Sequence, residues 1–264
     1  MALIQAVVSM ARKLFGNNGT NIVKEELHQL KHLLKGLSSR DLGIKPEDLE
    51  FKSKTVQVPA FNLPSIFDPL QPMKSVQVIP PAKYINVYED SSITVCTFIL
   101  NHLEKIPLHD HPGMHGLIKC LDGKIAINSY TPLPRDGHSY MLPNAISSLV
   151  PSAKRPFLIP CLPMERVIVS SDNDLDSVCC LSPEESNIHE LVVIEGTGVF
   201  LDVLAPPYDS NERDCHYFKV VGTHLDKKLN KEIAWLLEVP SPQEFWTEHL
   251  EYQGPAISRP NDIA

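Results

Sequence analysis

The stretch "IPLHDHPGMHGLIKCLDG" at residues 106–123 decides how this sequence is interpreted, because it combines two closely spaced histidines with strand and turn signals. In an extended strand, residues two positions apart point to the same face, so His109 and His111 would project together. A Pro-Gly turn signal at 112–113 follows, and then an apolar run that is typical of another strand. The Asp-Gly pair at 122–123 predicts a hairpin. The stretch therefore predicts two imidazoles on one face of a β-structure.

Short β-like runs continue on both sides of this stretch. They are separated by turn residues, and no helical pattern lies between them. About ten such strands at short spacing favour a sandwich or a barrel, so the residues alone predict a mainly β fold. The runs are KYINVYE, SSITVCTFIL, HGLIKCL, KIAINSY, ERVIVS, DSVCCL, IHELVVI, VFLDVLA, CHYFKVV and IAWLLEV.

The chain divides at about residue 55. Residues 1–54 form an N-terminal segment in which apolar residues recur at helical spacing over about 21–37, and this spacing predicts an amphipathic helix. We predict a single domain over 55–255. Within it, a stretch rich in proline and serine predicts a variable surface excursion at about 131–185. Residues 256–264 form a C-terminal tail.

Composition and charge argue against several classes of function. The 264 residues are 43% hydrophobic and 21% charged, which is typical of a folded soluble domain. The net charge of −8 leaves no basic surface for nucleic acid, and no apolar run is long enough to span a membrane. We therefore expect neither nucleic-acid nor membrane partners. We also expect a monomer, because no interface signature stands out.

The cysteines and the N-terminus bear on the compartment. The six cysteines include no CxxC pair, which argues against a zinc ribbon and favours reduced thiols in the cytoplasm. The N-terminal segment carries Arg12, Lys13 and Lys24 but no acid before Glu25. Mitochondrial import signals share this composition, and so do amphipathic N-terminal helices. The sequence therefore predicts a cytoplasmic protein and leaves mitochondrial import open.

A metal site built on His109 and His111 needs a further ligand from a later strand. His189 begins a β-like run, as the histidine of the second cupin motif does, and this context together with the family resemblance given below makes it our first choice for the third ligand. Three neutral imidazoles would leave a ferrous ion its full charge, which favours a thiolate from the substrate with dioxygen beside it. Zinc accepts the same ligands and would support hydrolysis or hydration instead. The alternatives for the third ligand are His138, His216 and His224.

The histidine stretch resembles the first motif of the cupin superfamily, in which HxH is followed by a glutamate and, after six further residues, by a glycine. Gly123 matches that glycine. Counting back from it places the glutamate position on Gly116, or on His115 if the first spacing is one residue shorter. The usual anionic ligand is therefore missing. We expect Gly116 to lie at the vacant ligand position, and His115 either to support the ligands or to serve the structure.

Five blocks in order, IPLHDHPGMHG, NIHELVVIEG, FLDVLAPPYD, RDCHYFKV and WLLEVPSPQEFW, resemble the family of cysteamine dioxygenases and plant cysteine oxidases. The resemblance implies a cupin β-barrel (a double-stranded β-helix). It also implies one Fe(II) on His109, His111 and His189, with no organic cofactor. The implied reaction adds both atoms of dioxygen to the thiol of cysteamine, giving hypotaurine, or to N-terminal cysteines of proteins. Oxidation of such cysteines would feed the arginine N-degron pathway and so report oxygen supply.

Four further residues of these blocks are candidate site residues. Asp202 lies on an apolar strand, where a carboxylate either orients the substrate's ammonium or accepts a structural hydrogen bond. Tyr208 is a candidate to place its hydroxyl at the pocket mouth. Cys215 and Tyr217 lie two apart on a predicted strand, and the family resemblance makes them candidates for a Cys–Tyr thioether near the iron. No single arginine is placed to hold a substrate carboxylate, which agrees with an aminothiol substrate.

Two alternatives to a thiol dioxygenase stay open. One is a non-catalytic cupin that binds a metal or ligand, and the other is a zinc or nickel cupin isomerase or hydrolase. The missing glutamate disfavours the isomerase or hydrolase. The retained blocks around Asp202, Tyr208 and Cys215 disfavour the non-catalytic protein.

Overall fold

The computed structural model describes residues 2–16, 22–59, 73–134, 140–171 and 178–258. Within these ranges the chain forms three α-helices and thirteen strands. The second helix lies inside the range that the apolar spacing predicts, so that prediction is confirmed. The helices are α1 (Leu3–Phe15), α2 (Lys24–Lys35) and α3 (Asn144–Ser147).

The strands follow the predicted β-like runs closely, although some runs merge into longer strands. In chain order they are β1 (Lys54–Pro59), β2 (Met73–Val78), β3 (Ala82–Glu89), β4 (Thr94–Leu100), β5 (Lys105–Asp110), β6 (His115–Pro132), β7 (Leu158–Pro163), β8 (Val167–Ser170), β9 (Val178–Leu181), β10 (Ile188–Ala205), β11 (Tyr217–Asp226), β12 (Lys231–Val239) and β13 (Thr247–Leu250).

Six of these strands close into a barrel. Strand β10 pairs with β5, β5 with β11, β11 with β12, β12 with β7, and β7 with β6. The ring closes because β6 pairs in turn with β10. Closure leaves these strands without a free edge. Strands β4, β3 and β13 extend the sheet outward from β10. The prediction of a mainly β, cupin-type barrel is confirmed.

The hairpin predicted at Asp122–Gly123 is wrong. Both flanking runs belong to the single strand β6, which pairs with β10 from one end to the other. Register shifts near Gly123 mark a shared bend of the two strands instead of a reversal. Gly123 has a φ of 70°, and a Cβ there would lie 2.5 Å from the carbonyl oxygen of Thr197. The position therefore requires a glycine. The reason is not a hairpin turn: the glycine allows the bend of β6 and the close approach of β10.

A second apolar layer lies outside the barrel, beneath the N-terminal helices. Alternate residues of β10, including Leu201 and Val203, pack there against the apolar face of α1. Arg12 of α1 also donates to the carboxylate of Asp90 over 2.6 Å. The N-terminus is therefore an amphipathic helix packed on the barrel, which is one of the two interpretations that its composition left open. The buried residues of α1 are Ile4, Val7, Val8, Ala11, Leu14 and Phe15.

The region 131–185 holds more regular structure than a surface excursion. Strands β7, β8 and β9 all pair with β6. Ile146 of α3 belongs to a buried cluster that includes Trp235 of β12. Strands β8 and β9 correspond to the predicted runs ERVIVS and DSVCCL, whereas β7, which contains two prolines, was not predicted. No helix among the residues described is both long and apolar enough to cross a membrane.

Candidate metal centre

Strand pairing brings three histidines together. His109 on β5 lies directly opposite His189 on β10, and His111 follows just beyond the end of β5. Residues opposite each other in an antiparallel pair share a face of the sheet, so these side chains converge. All three are buried, with 8% of His109, 2% of His111 and 3% of His189 exposed. The structure thus places His189, the first choice for a third ligand, in one group with the other two.

The ring nitrogens of this group have the spacing that one metal ion requires. Nε2 of His111 lies 3.1 Å from Nε2 of His189, and one ligand nitrogen from each of the three residues lies within 4.8 Å of the others. Two imidazole nitrogens bound at right angles to one ion, each at about 2.1 Å, would be ~3.0 Å apart. The residues present therefore fit a single metal ion.

Burial keeps the three histidines neutral. It lowers the pKa of His109 to about 4, and it lowers the pKa of His111 and His189 well below 6.5, because a charged ring would lose its hydration. For His111 and His189 the positive charge of a neighbouring imidazolium would lower the pKa further. An imidazole binds a metal only in its neutral form, so these rings are ready to bind at neutral and mildly acidic pH.

Hydrogen bonds on the far side of two rings fix which nitrogen carries the proton. Nδ1 of His109 lies 2.8 Å from the carbonyl oxygen of Pro107, which can only accept, so Nδ1 is the protonated nitrogen. Tyr208 donates its hydroxyl to the carbonyl oxygen of Asp110 over 2.7 Å and accepts a hydrogen bond from Nδ1 of His111 over 2.8 Å. In both histidines the lone pair therefore lies on Nε2. Tyr208 acts on a candidate ligand and does not simply stand at the pocket mouth.

Replacing Tyr208 with phenylalanine is expected to weaken metal binding by about 10- to 100-fold, because His111 loses the partner that orients its ring. Chelator competition with Co(II) or Fe(II) at pH 7 would measure the affinity. The matched control is Tyr252→Phe, which removes a hydroxyl that bonds only to the backbone near the C-terminus. Equal affinities in the two variants would show that Tyr208 does not orient the ligand.

Asn187, which sequence reasoning did not single out, holds the backbone of His111. Its amide nitrogen donates to the carbonyl oxygens of His111 over 2.7 Å and of Ser182 over 3.0 Å. Its side-chain oxygen accepts from the backbone N–H of His111 over 3.2 Å. Because Asn187 lies two residues before His189, one segment supplies a candidate ligand and also positions another. A polar residue at the start of an apolar run is too common a signal to predict this role.

The packing around Gly116 accounts for the missing carboxylate. Gly116 pairs with Leu204 of β10, whose side chain lines the cavity at the histidines, so a side chain at position 116 would face the same side. A Cβ added at Gly116 would lie 2.9 Å from Cγ of Leu181 on β9. Leu181 thus fills the space that an acidic side chain would need.

His115 lies apart from the three-histidine group. Its ring stacks on Phe15 of α1 with 5.8 Å between the ring centroids. This contact agrees with the structural alternative for His115. The other candidates for the third ligand also lie elsewhere: Nδ1 of His216 is 3.3 Å from the carboxylate of Asp110, and His224 stacks on Trp235. His138 falls outside the described residues.

A cavity of about 250 Å³ opens beside His109 and His111. Most of its walls are apolar, and the described residues that line it include the acidic Glu89 and Asp202 but no lysine or arginine. Asp202 is buried, and burial raises its pKa to about 7. Its Oδ1 atom is buried and has no hydrogen-bond partner in the described part of the chain. Since an unsatisfied carboxylate oxygen is costly, this wall is suited to a cationic group of a ligand.

Cys215 and Tyr217 both line this cavity, but they do not share a strand. Strand β11 begins at Tyr217, so the prediction that both residues lie on it is wrong for Cys215. The side chains of Tyr208 and Tyr217 line the same cavity as the Cys215 thiol, and burial raises the pKa of that thiol to about 11. The carboxylate of Asp110 accepts from the backbone N–H of His216 over 2.8 Å. This bond ties the Cys215 segment to the segment that carries two of the histidines.

Comparison with known proteins identifies the family of this chain. Residues 33–257 match the family described as PCO_ADO. Human 2-aminoethanethiol dioxygenase is 34% identical over 248 residues, which cover 88% of this chain and 82% of the relative. Plant cysteine oxidase 2 of Arabidopsis thaliana is 26% identical over 270 residues, covering 96% and 83%. Among solved structures, KdgF from Halomonas sp. aligns with 49% of this chain and 82% of its own at 10% identity and a TM-score of 0.31. Because the family match spans most of its length, this chain belongs to the PCO_ADO family.

Proposed function

We propose that this protein is an iron(II)-dependent thiol dioxygenase that converts cysteamine to hypotaurine. The observation that carries the proposal is the group of three buried, neutral histidines next to a cavity lined by Asp202, whose buried Oδ1 has no hydrogen-bond partner among the described residues. Relatives named 2-aminoethanethiol dioxygenase and plant cysteine oxidase support the same chemistry. The cofactor is one Fe(II) per chain, held by His109, His111 and His189.

His109, His111 and His189 would hold a ferrous ion, whose positive charge would favour the thiolate form of the substrate. Other residues of the protein prepare the histidines and the cavity for this chemistry. Pro107 and Tyr208 keep the ring protons of His109 and His111 on Nδ1, away from the metal side. The apolar walls of the cavity exclude water from the reacting sulfur.

Asp202 selects the amine of the substrate. Its carboxylate lies in the same cavity as the histidines, and its free oxygen can accept a hydrogen bond from an ammonium group. No lysine or arginine among the described lining residues compensates a carboxylate on the substrate. Cysteamine and Cys-initiated peptides carry an amine and a thiol without an adjacent free carboxylate, so both suit this cavity better than free cysteine.

Cys-initiated protein N-termini are the second proposed substrate class. A peptide would place its first residue in the cavity and extend past the exposed residue Glu89 at its edge. Oxidation of such N-termini to the sulfinate would feed the arginine N-degron pathway and serve oxygen sensing. Composition and the scattered cysteines favour the cytoplasm, the basic N-terminus leaves mitochondrial import open, and a monomer is expected because the sequence carries no interface signature.

The experiment that tests the proposal is anaerobic loading of the purified protein with iron, followed by oxygen uptake with cysteamine, a Cys-initiated peptide or free cysteine. We expect one sulfinate formed for each dioxygen consumed, with the least uptake for free cysteine. Zinc-loaded protein is the matched control and should consume no oxygen. Absence of thiol-dependent uptake by the iron form would refute the proposal, and hydrolytic or isomerase activity of the zinc form alone would favour the alternative enzyme.

A thioether between Cys215 and Tyr217 is a further prediction for the iron-loaded protein. Formation of the C–S bond removes the thiol hydrogen and one ring hydrogen, and dioxygen is the oxidant that accepts both with their electrons. After aerobic turnover we expect the peptide that contains both residues to be lighter by two hydrogens in mass spectrometry. Cys215→Ala should keep its calculated mass under the same treatment. An unchanged wild-type peptide after many turnovers would show that no thioether forms.

A further inference from the structure

Cys96 lies beside Asp202 on the same wall of the cavity. It lies on β4, and its register partner on β10 is Asp202, so the two side chains share a face of the sheet. Both line the cavity that contains the histidines, and only 2% of Cys96 is exposed. The hydroxyl of Tyr84, on the next strand β3, lies beside the Cys96 thiol. The sulfur therefore occupies space between Asp202 and the neighbouring strand.

The Cys96 side chain behaves there as a small apolar group. It is a free cysteine, and burial together with the charge of Asp202 raises the pKa of its thiol well above 9.0. A neutral thiol is a poor nucleophile and only a weak hydrogen-bond donor. This agrees with the finding that Oδ1 of Asp202 has no partner among the described residues. What Cys96 contributes to the cavity is therefore volume.

We propose that Cys96 is a specificity-determining residue that limits the bulk allowed on the carbon that carries the substrate's amine. This inference rests on the proposed function and deepens it. Side chains directly opposite each other on paired strands have Cβ atoms about 5 Å apart, so an ammonium bound to Asp202 places its carbon against Cys96. That carbon bears only hydrogens in cysteamine, but it bears a carbonyl group in an N-terminal cysteine. Cys96 thus favours cysteamine over Cys-initiated peptides.

Three variants of the iron-loaded protein test this inference. Cys96→Ala removes the sulfur and should raise the ratio of kcat/KM for a Cys-initiated tetrapeptide to kcat/KM for cysteamine by about tenfold, the effect of relieving a contact of one heavy atom. Cys96→Val replaces the sulfur with apolar groups of at least the same bulk, so the ratio should not rise. Cys161→Ala removes a buried thiol that does not line the cavity, so it should also leave the ratio unchanged.

Binding to the metal-free protein gives a second readout that does not depend on turnover. Ligand-observed NMR would compare ethylamine with alaninamide, which carries a carbonyl group on the same carbon. In Cys96→Ala the affinity for alaninamide should rise relative to ethylamine, again by about tenfold. Unchanged ratios in both measurements would overturn the role of Cys96 while leaving the dioxygenase intact. Failure of the wild-type protein to consume oxygen with either thiol would instead refute the proposed function.

Discussion

Replacing His189 with alanine is expected to abolish oxygen uptake with cysteamine and to leave the purified protein nearly free of iron. Two imidazoles on β5 and its following turn would remain, with one side of the site open. Loss of a partner that only orients a ligand costs about 10- to 100-fold in metal affinity, so loss of the ligand itself should cost more. Metal analysis after anaerobic loading would measure iron per chain, and an oxygen electrode would measure turnover.

The matched control for this experiment is His224→Ala. His224 lies on β11 and stacks on Trp235, so its loss removes a half-buried imidazole without touching the three-histidine group. Thermal unfolding of both variants would confirm that each is folded. If His189→Ala retains its iron and full turnover, the assignment of the third ligand is refuted.

Replacing Asp202 with asparagine is expected to weaken the use of cysteamine severely. Asparagine has nearly the same shape but cannot neutralise an ammonium group in the buried cavity. Loss of one partner of a buried, hydrogen-bonded charge pair costs about 2–5 kcal/mol, which corresponds to roughly 30-fold or more in kcat/KM. Steady-state oxygen uptake would separate the effect on KM from the effect on kcat. The control is Glu89→Gln, which removes the exposed carboxylate of the same cavity.

The same substitution is expected to stabilise the metal-free, substrate-free protein, increasingly so at higher pH. Burial raises the folded-state pKa of Asp202 to about 7, above the usual value of 3.8, so the folded state holds this proton more tightly than the unfolded state does. Its contribution to stability is therefore complete below the unfolded pKa and is lost as the pH rises through the folded pKa. Between pH 5.5 and pH 8 the wild type should lose about 2 kcal/mol relative to Asp202→Asn.

Urea unfolding of both proteins at pH 5.5 and pH 8 would measure this difference. A stability gap that does not change with pH would show that the Asp202 carboxyl is not held in the protonated form at the lower pH. The kinetics and the unfolding data together distinguish a residue that serves substrate binding from one that serves folding. If Asp202 serves binding, Asp202→Asn should be more stable than the wild type at pH 8 but less active.

Much of the sheet could be predicted from the sequence, because most of its strands leave a local pattern. The alternation in KYINVYE and the apolar run SSITVCTFIL correspond to β3 and β4, and IAWLLEV lies within β12. Prediction from sequence patterns failed where the same local motif is compatible with two different tertiary structures. Asp122–Gly123 is a hairpin signal in isolation, but Gly123 here permits a bend of two long paired strands. Helix α1 was only one of two interpretations of the N-terminus, because its composition suits both an import signal and a packed helix.

The sequence by itself determined the chemical types at the site: two histidines at HxH spacing, a third before an apolar run, and no acid at position 116. Only the tertiary structure decided which groups meet. Leu181 fills the space at Gly116, and Cys96 lies opposite Asp202. These contacts join residues 65 and 106 positions apart in the chain, as the residue numbers show (181 − 116 and 202 − 96). Local periodicity tells which face a side chain takes, but strand register, which depends on packing of the whole barrel, tells which side chain it faces.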